Sequence, residues 1–104
     1  MGSARRPAPA RLAEKLLHIR RRLGLSQSQM LRGLGETKTK LHAAHLSEYE
    51  SGKREPPLAV LLQYARAAGV PVELLIDDEQ DLPARLPAST TWVMKRGQLW
   101  RRGR

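Results

Sequence analysis

Leu46-Ser47-Glu48-Tyr49-Glu50-Ser51-Gly52-Lys53-Arg54-Glu55-Pro56-Pro57 is the stretch on which the fold of this chain turns. Leu46 and Tyr49, three apart, share the buried side of a helix with Leu41, while His42, Ala43, Ala44, Ser47 and Glu48 stay outside. Ser51-Gly52 closes the helix, since glycine takes the left-handed conformation that ends one. Lys53, Arg54, Glu55 and two prolines then run on as an extended connector. The spacing thus predicts a helix over about 42–50 with a small, polar outer face and two cations just beyond its end.

Towards the N-terminus, Leu12, Leu16, Ile19 and Leu23 recur at intervals of four, three and four, the period of one helix face. Gly24 supplies the stop, and Lys15, Arg20, Arg21 and Arg22 are expected on the opposite faces. Ser26 with Gln29 three residues on reads as a capping box opening a second helix, from Gln27 to about Leu34, with Met30, Leu31 and Leu34 inward. Residues 36–40 are polar and read as a turn longer than two helices need. Towards the C-terminus, Leu58, Leu61, Leu62, Ala65 and Ala68 define a largely buried fourth helix closed by Gly69. Val70-Pro71 opens a short fifth, with Val72, Leu75 and Ile76 packing back. The fold class is all-α with five helices, and no strand is expected before residue 82.

The chain has 104 residues, 19 Lys and Arg against 10 Asp and Glu, and a formal charge of +9. So basic a chain of one-domain length seeks a polyanion. With no cysteine, disulfides and thiolate chemistry are excluded, in keeping with a cytoplasmic setting on the nucleoid. No apolar run approaches the roughly 18 residues of a membrane span, so no membrane partner is expected. Residues 1–10 form a basic, proline-bearing arm, 11–80 the helical domain, and 81–104 a linker and basic tail. Glu73, Asp77, Asp78, Glu79 and Asp81 make an acidic segment before Pro83 and Pro87. The tail holds Trp92 and Trp100 among Lys95, Arg96, Arg101, Arg102 and Arg104, in a hairpin pattern with Gly97 at its turn.

Leu23-Gly24-Leu25-Ser26-Gln27, Leu34-Gly35, the stretch 46–57, Leu61-Leu62, Ala65 and Gly69-Val70-Pro71 follow one another in a familiar register. Over residues 12–77 the chain resembles the Cro/phage-repressor (Xre-type) helix-turn-helix family. The resemblance implies a Cro/repressor-like five-helix domain whose third helix enters the major groove of duplex DNA, acting as a dimer on a two-fold site. It makes Leu46 the buried anchor, and His42, Ala43, Ala44, Ser47 and Glu48 the groove-facing set. It also implies that Gln27 holds the DNA backbone and braces the third helix, and that Lys53 and Arg54 grip phosphate. Two departures stand out: Leu31 where the family usually has alanine, and about five extra residues between Gly35 and Leu46, which leave a third-helix start as early as Thr39 open.

Chemistry narrows these roles. Ser26 and Gln27 sit at a helix N-terminus, whose free amides attract phosphate, although Ser26 also reads as a plain cap. Alanines 43 and 44 offer only apolar contact to a thymine methyl, Ser47 pairs with several bases, and Glu48 can accept from cytosine N4. His42 and His45 can reach phosphate or purine acceptors, the more so when protonated, and Lys38 and Lys40 add charge near the expected surface. So few bidentate readers imply modest direct specificity supplemented by DNA shape.

His42, His45 and Glu48 drift around the helix and lack a second cluster, so neither a metal nor another cofactor is expected. No nucleophile–base pair or phosphate-cradling glycine loop suggests an enzyme. The competing reading is a protein-interaction module, such as an antitoxin, that docks a partner through the acidic 73–81 segment or the tail. For the tail itself, packing or dimerisation is the favoured role.

Overall fold

The computed structural model describes residues 9–34 and 40–86, and the backbone of 92–95 and 98–101. Five helices follow in order: α1 (Leu12–Leu23), α2 (Gln27–Gly33), α3 (Ala43–Ser51), α4 (Leu58–Ala68) and the single turn α5 (Glu73–Ile76). Beyond them β1 (Trp92–Lys95) and β2 (Gln98–Arg101) pair antiparallel, Trp92 opposite Arg101 and Lys95 opposite Gln98. The expected hairpin turn at Gly97 lies outside the described residues.

Helices α1, α3 and α4 end alike, at Gly24, Gly52 and Gly69, each with positive φ. The amide after each glycine reaches back to a carbonyl five residues earlier: Leu25 to Arg20 at 3.2 Å, Lys53 to Glu48 at 2.9 Å, and Val70 to Ala65 at 3.0 Å. These reversals let short helices stack instead of extending.

α1 is the central strut, packing against α3, α4 and α5; α3 also rests on α2, and β2 runs beside α2. Leu16, Ile19, Met30, Leu34, Leu46, Val60, Tyr64 and Leu75 fill the core between them. Leu23, Leu31 and Leu41 are only partly buried at its margin. Leu82 packs on that margin and Leu86 is buried, so the core draws in residues beyond the acidic segment.

Three expectations from periodicity are corrected. On α4 the buried side is Val60, Leu61, Tyr64, Ala65, Ala67 and Ala68, whereas Leu58 is 75% and Leu62 39% exposed. Leu58, Leu62 and the exposed Arg66 are spaced by four and fall on one outer line of the helix. Ile76, the last residue of α5, is 43% exposed and does not pack back. On α1, Lys15 is buried at 2% exposure and Arg20 is half-buried, so neither belongs to the solvent face with Arg21 and Arg22. Lys15 lies three residues after Leu12 and four before Ile19, and Arg20 four after Leu16, which places both on the core-facing side.

Lys15 is tolerated there because its ammonium is fully used. Nζ donates to the carbonyl oxygens of Leu74 at 2.7 Å, Asp77 at 2.8 Å and Gln80 at 2.7 Å, closing the end of α5 and the turn after it. A cation against the free carbonyls of a helix C-terminus is electrostatically favourable as well as hydrogen-bonded.

Candidate nucleic-acid interface

Helices α2 and α3 present the surface that the sequence singled out. The capping box at Ser26 forms: its Oγ accepts the Gln29 amide at 3.1 Å, and Gln29 Oε1 accepts the Ser26 amide at 2.8 Å. That leaves Ser26 exposed and Gln27 half-buried at the helix start. α3 begins at Ala43 with His42 as its cap residue, and Lys40 to His42 are not helical, so the helix does not start early. His42, Ala44 and Ser47 are exposed, Ala43, His45 and Glu48 are half-buried, and Leu46 and Tyr49 anchor the inner side. The outward ridge is therefore narrow, with small side chains that let the helix backbone approach a surface closely. Lys40, Lys53 and Arg54 are exposed around it, while Lys38 lies outside the described residues.

Several of these side chains are already engaged. His45 Nδ1 accepts the His42 amide at 2.9 Å, and its ring stacks between those of His42 and Tyr49, with centroids 5.5 and 6.5 Å away. Nδ1 is thereby committed as the acceptor of the α3 cap. Glu48 Oε1 accepts from Arg54 Nε at 2.7 Å, so a residue expected to read a base and one expected to hold phosphate are paired with each other.

Behind the ridge lies a polar brace. The Glu50 carboxylate, with only 4% of its side chain exposed, accepts from Arg20 Nε at 3.0 and 2.9 Å, from Gln27 Nε2 at 3.4 Å and from the Tyr64 hydroxyl at 3.2 Å. Arg20 also donates to the Leu25 carbonyl at 2.9 Å. One carboxylate thus ties α1, the start of α2, α3 and α4, with Gln27 making the longest of its contacts. Burial first, then the negative charge of Glu50, pushes the Tyr64 hydroxyl far above its ordinary value, so it stays a donor. Sequence reasoning passed over Glu50 and Tyr64. Glu50 is four residues from Leu46 and one from Tyr49, so the helical period that marks those two as buried marks it as well.

At the opposite end of α1, part of the acidic segment is engaged within the chain, with Asp77 and Asp78 half-buried and Glu73, Glu79 and Asp81 exposed. Asp78 accepts the amides of Ala10 and Arg11, just ahead of the first helical residue, at 2.8 and 2.9 Å, and Arg11 pairs with Asp81 at 2.7 Å. The Arg11 amide first, then that of Ala10, holds the Asp78 carboxyl below the usual range. Asp77 is lowered chiefly by the Gln80 side-chain amide and then by the Glu79 amide. Among the described residues, no helix is long and apolar enough to cross a membrane.

No curated protein and no solved structure matches the chain. A family model described as "Helix-turn-helix domain" does match, over residues 11–75. That span takes in α1 to α4 and most of α5, including the capped start of α2, the ridge of α3 and the Glu50 brace behind them. With more than half its length matched and these helices in their expected order, the chain belongs to the helix-turn-helix domain family, a class of DNA-binding module.

Proposed function

We propose that the chain binds duplex DNA sequence-specifically, as a transcriptional regulator in the cytoplasm, with α3 in the major groove. The observation that carries this reading is the ridge of Ala43, Ala44 and Ser47 flanked by the start of α2 and by the exposed Lys53 and Arg54, with α2 and α3 joined through the buried Glu50 carboxylate. A narrow ridge lets a helix sit deep, and the brace links the start of α2 to α3. Ser26, Gln27, Lys40, Lys53 and Arg54 serve the backbone, with Lys38 adding charge. His42, Ala43, Ala44 and Ser47 face the bases, and Glu48 lies beside them, paired with Arg54. Direct readout from such residues is thin, so DNA shape carries part of the selectivity. A homodimer on a two-fold site is what the family resemblance and operator geometry suggest, with half-sites about one helical turn apart.

The competing docking role for the acidic segment is weakened because Asp77, Asp78 and Asp81 are engaged within the chain. A protein partner for the tail remains compatible with DNA binding. The test is titration of a pool-selected duplex at several salt concentrations. Affinity should fall steeply with salt, and replacing Lys53 and Arg54 with alanine should weaken all sequences alike and reduce the log–log slope by roughly 2. A flat salt response by the wild-type chain overturns the reading.

A further inference from the structure

Glu48 occupies the place of a base reader, yet its geometry ties it to the loop beyond the helix. Oε1 accepts from Arg54 Nε at 2.7 Å, across a six-residue separation. Its main-chain carbonyl accepts the amides of Lys53 at 2.9 Å and Arg54 at 3.3 Å, an arrangement made by the reversal at Gly52. One residue therefore holds both the backbone and the side chain of the segment that follows α3.

Resting on the DNA-binding reading above, we infer that Glu48 is a positioning residue, which sets Arg54 for a backbone phosphate and does not select a base. The pair uses Nε, so the two terminal guanidinium nitrogens lie outside this contact. That edge carries the fork that suits a phosphate. An arginine side chain is otherwise among the most mobile, and 59% of this one is exposed, so fixing its stem before binding removes ordering that DNA would have to impose. The ion pair also offsets the charge of a carboxylate that would face a phosphate-lined groove alone. Oε2 keeps lone pairs that a cytosine amine could use, which makes base reading the rival to exclude.

The test compares wild type, Glu48→Ala, Glu48→Gln, Arg54→Ala and the Glu48→Ala/Arg54→Ala double variant on one pool-selected duplex and its single-base-pair variants, near 0.15 M salt. Glu48→Ala should weaken binding about threefold to tenfold on every duplex alike, and should have no effect where Arg54 is already alanine. Glu48→Gln, whose amide oxygen still accepts from Nε, should recover most of the loss. In the DNA-free protein, the Arg54 Nε–H resonance should be protected from exchange in wild type and lose that protection in Glu48→Ala. A loss of preference confined to one base pair, an equal effect with and without Arg54, or no loss at all overturns the inference while DNA binding stands. A wild-type chain that binds no duplex sinks both readings.

Discussion

Lys15 offers the most quantitative check on how this domain is held together. Lys15→Met keeps the buried aliphatic stem and removes the ammonium that serves the carbonyls of Leu74, Asp77 and Gln80 at 2.7–2.8 Å. A hydrogen bond to a charged group contributes about 1.5–3 kcal/mol, so three of them set a generous ceiling. Two effects lower it: desolvating the ammonium already cancels part of the gain in wild type, and the released carbonyls are only partly buried and can turn to water. The expected net loss is about 2–4 kcal/mol, against a total stability of roughly 5–15 kcal/mol for a protein of this kind. In a thermal melt followed by circular dichroism, each kcal/mol lowers Tm by about 4–8 °C for a domain this size, so Lys15→Met should fall by at least about 8 °C. Lys15→Arg should recover only part, because a planar fork cannot aim one donor from a single nitrogen at each of three converging carbonyls. A Lys15→Met melt within about 2 °C of wild type would refute the claim that the ammonium closes α5. Full recovery by arginine would show that charge alone matters, not geometry.

Acid should act at the start of α1. Because the folded Asp78 carboxyl sits below its ordinary 3.8, its contribution is present above that value and is lost as pH falls through the lowered one; Asp78→Asn should flatten that part of a stability-against-pH curve. Gly52→Ala meets nothing closer than Ala13 Cβ at 3.8 Å, so its cost of about 1–2 kcal/mol comes from a backbone held at φ +82, measurable by urea unfolding. Leu58→Ser should change the urea midpoint little, within about 0.5 kcal/mol, whereas Leu61→Ala should cost about 2–5 kcal/mol. Equal losses at the two positions would contradict the exposed line on α4.

The helix order and its stops were readable because they depend on local rules. Gly24, Gly52 and Gly69 end helices where the apolar period stops, and the Ser26–Gln29 box forms as its spacing predicts. Side-chain roles that depend on distant partners were not readable in the same way. Lys15 and Arg20 carry charges and so looked solvent-facing, although their spacing from Leu12 and Leu16 put them on the inner side. Their partners, Gln80 and Glu50, are 65 and 30 residues away, and no window of sequence contains both members. Leu58 and Leu62 misled for the opposite reason: apolar character suggested burial at positions where the helix turns outward. In the candidate interface, period alone picked out His42, Ala44 and Ser47, which are exposed, but also Ala43 and Glu48, which are half-buried. The Glu48–Arg54 pair was not legible, since it needs the turn at Gly52 to bring helix end and loop together.

The clasp between α1 and the segment after α5 bears on how the domain can be divided and made. The family match ends at residue 75, yet Asp77 and Gln80 supply two of the three carbonyls on Lys15, and Asp78 accepts the amides just ahead of the first helix. A fragment cut at the homology boundary would carry a buried ammonium short of acceptors and would leave the Ala10 and Arg11 amides without Asp78. The same holds on the ribosome: the clasp on Lys15 cannot close until residue 80 has cleared the exit tunnel, so α1 waits for a segment 65 residues downstream.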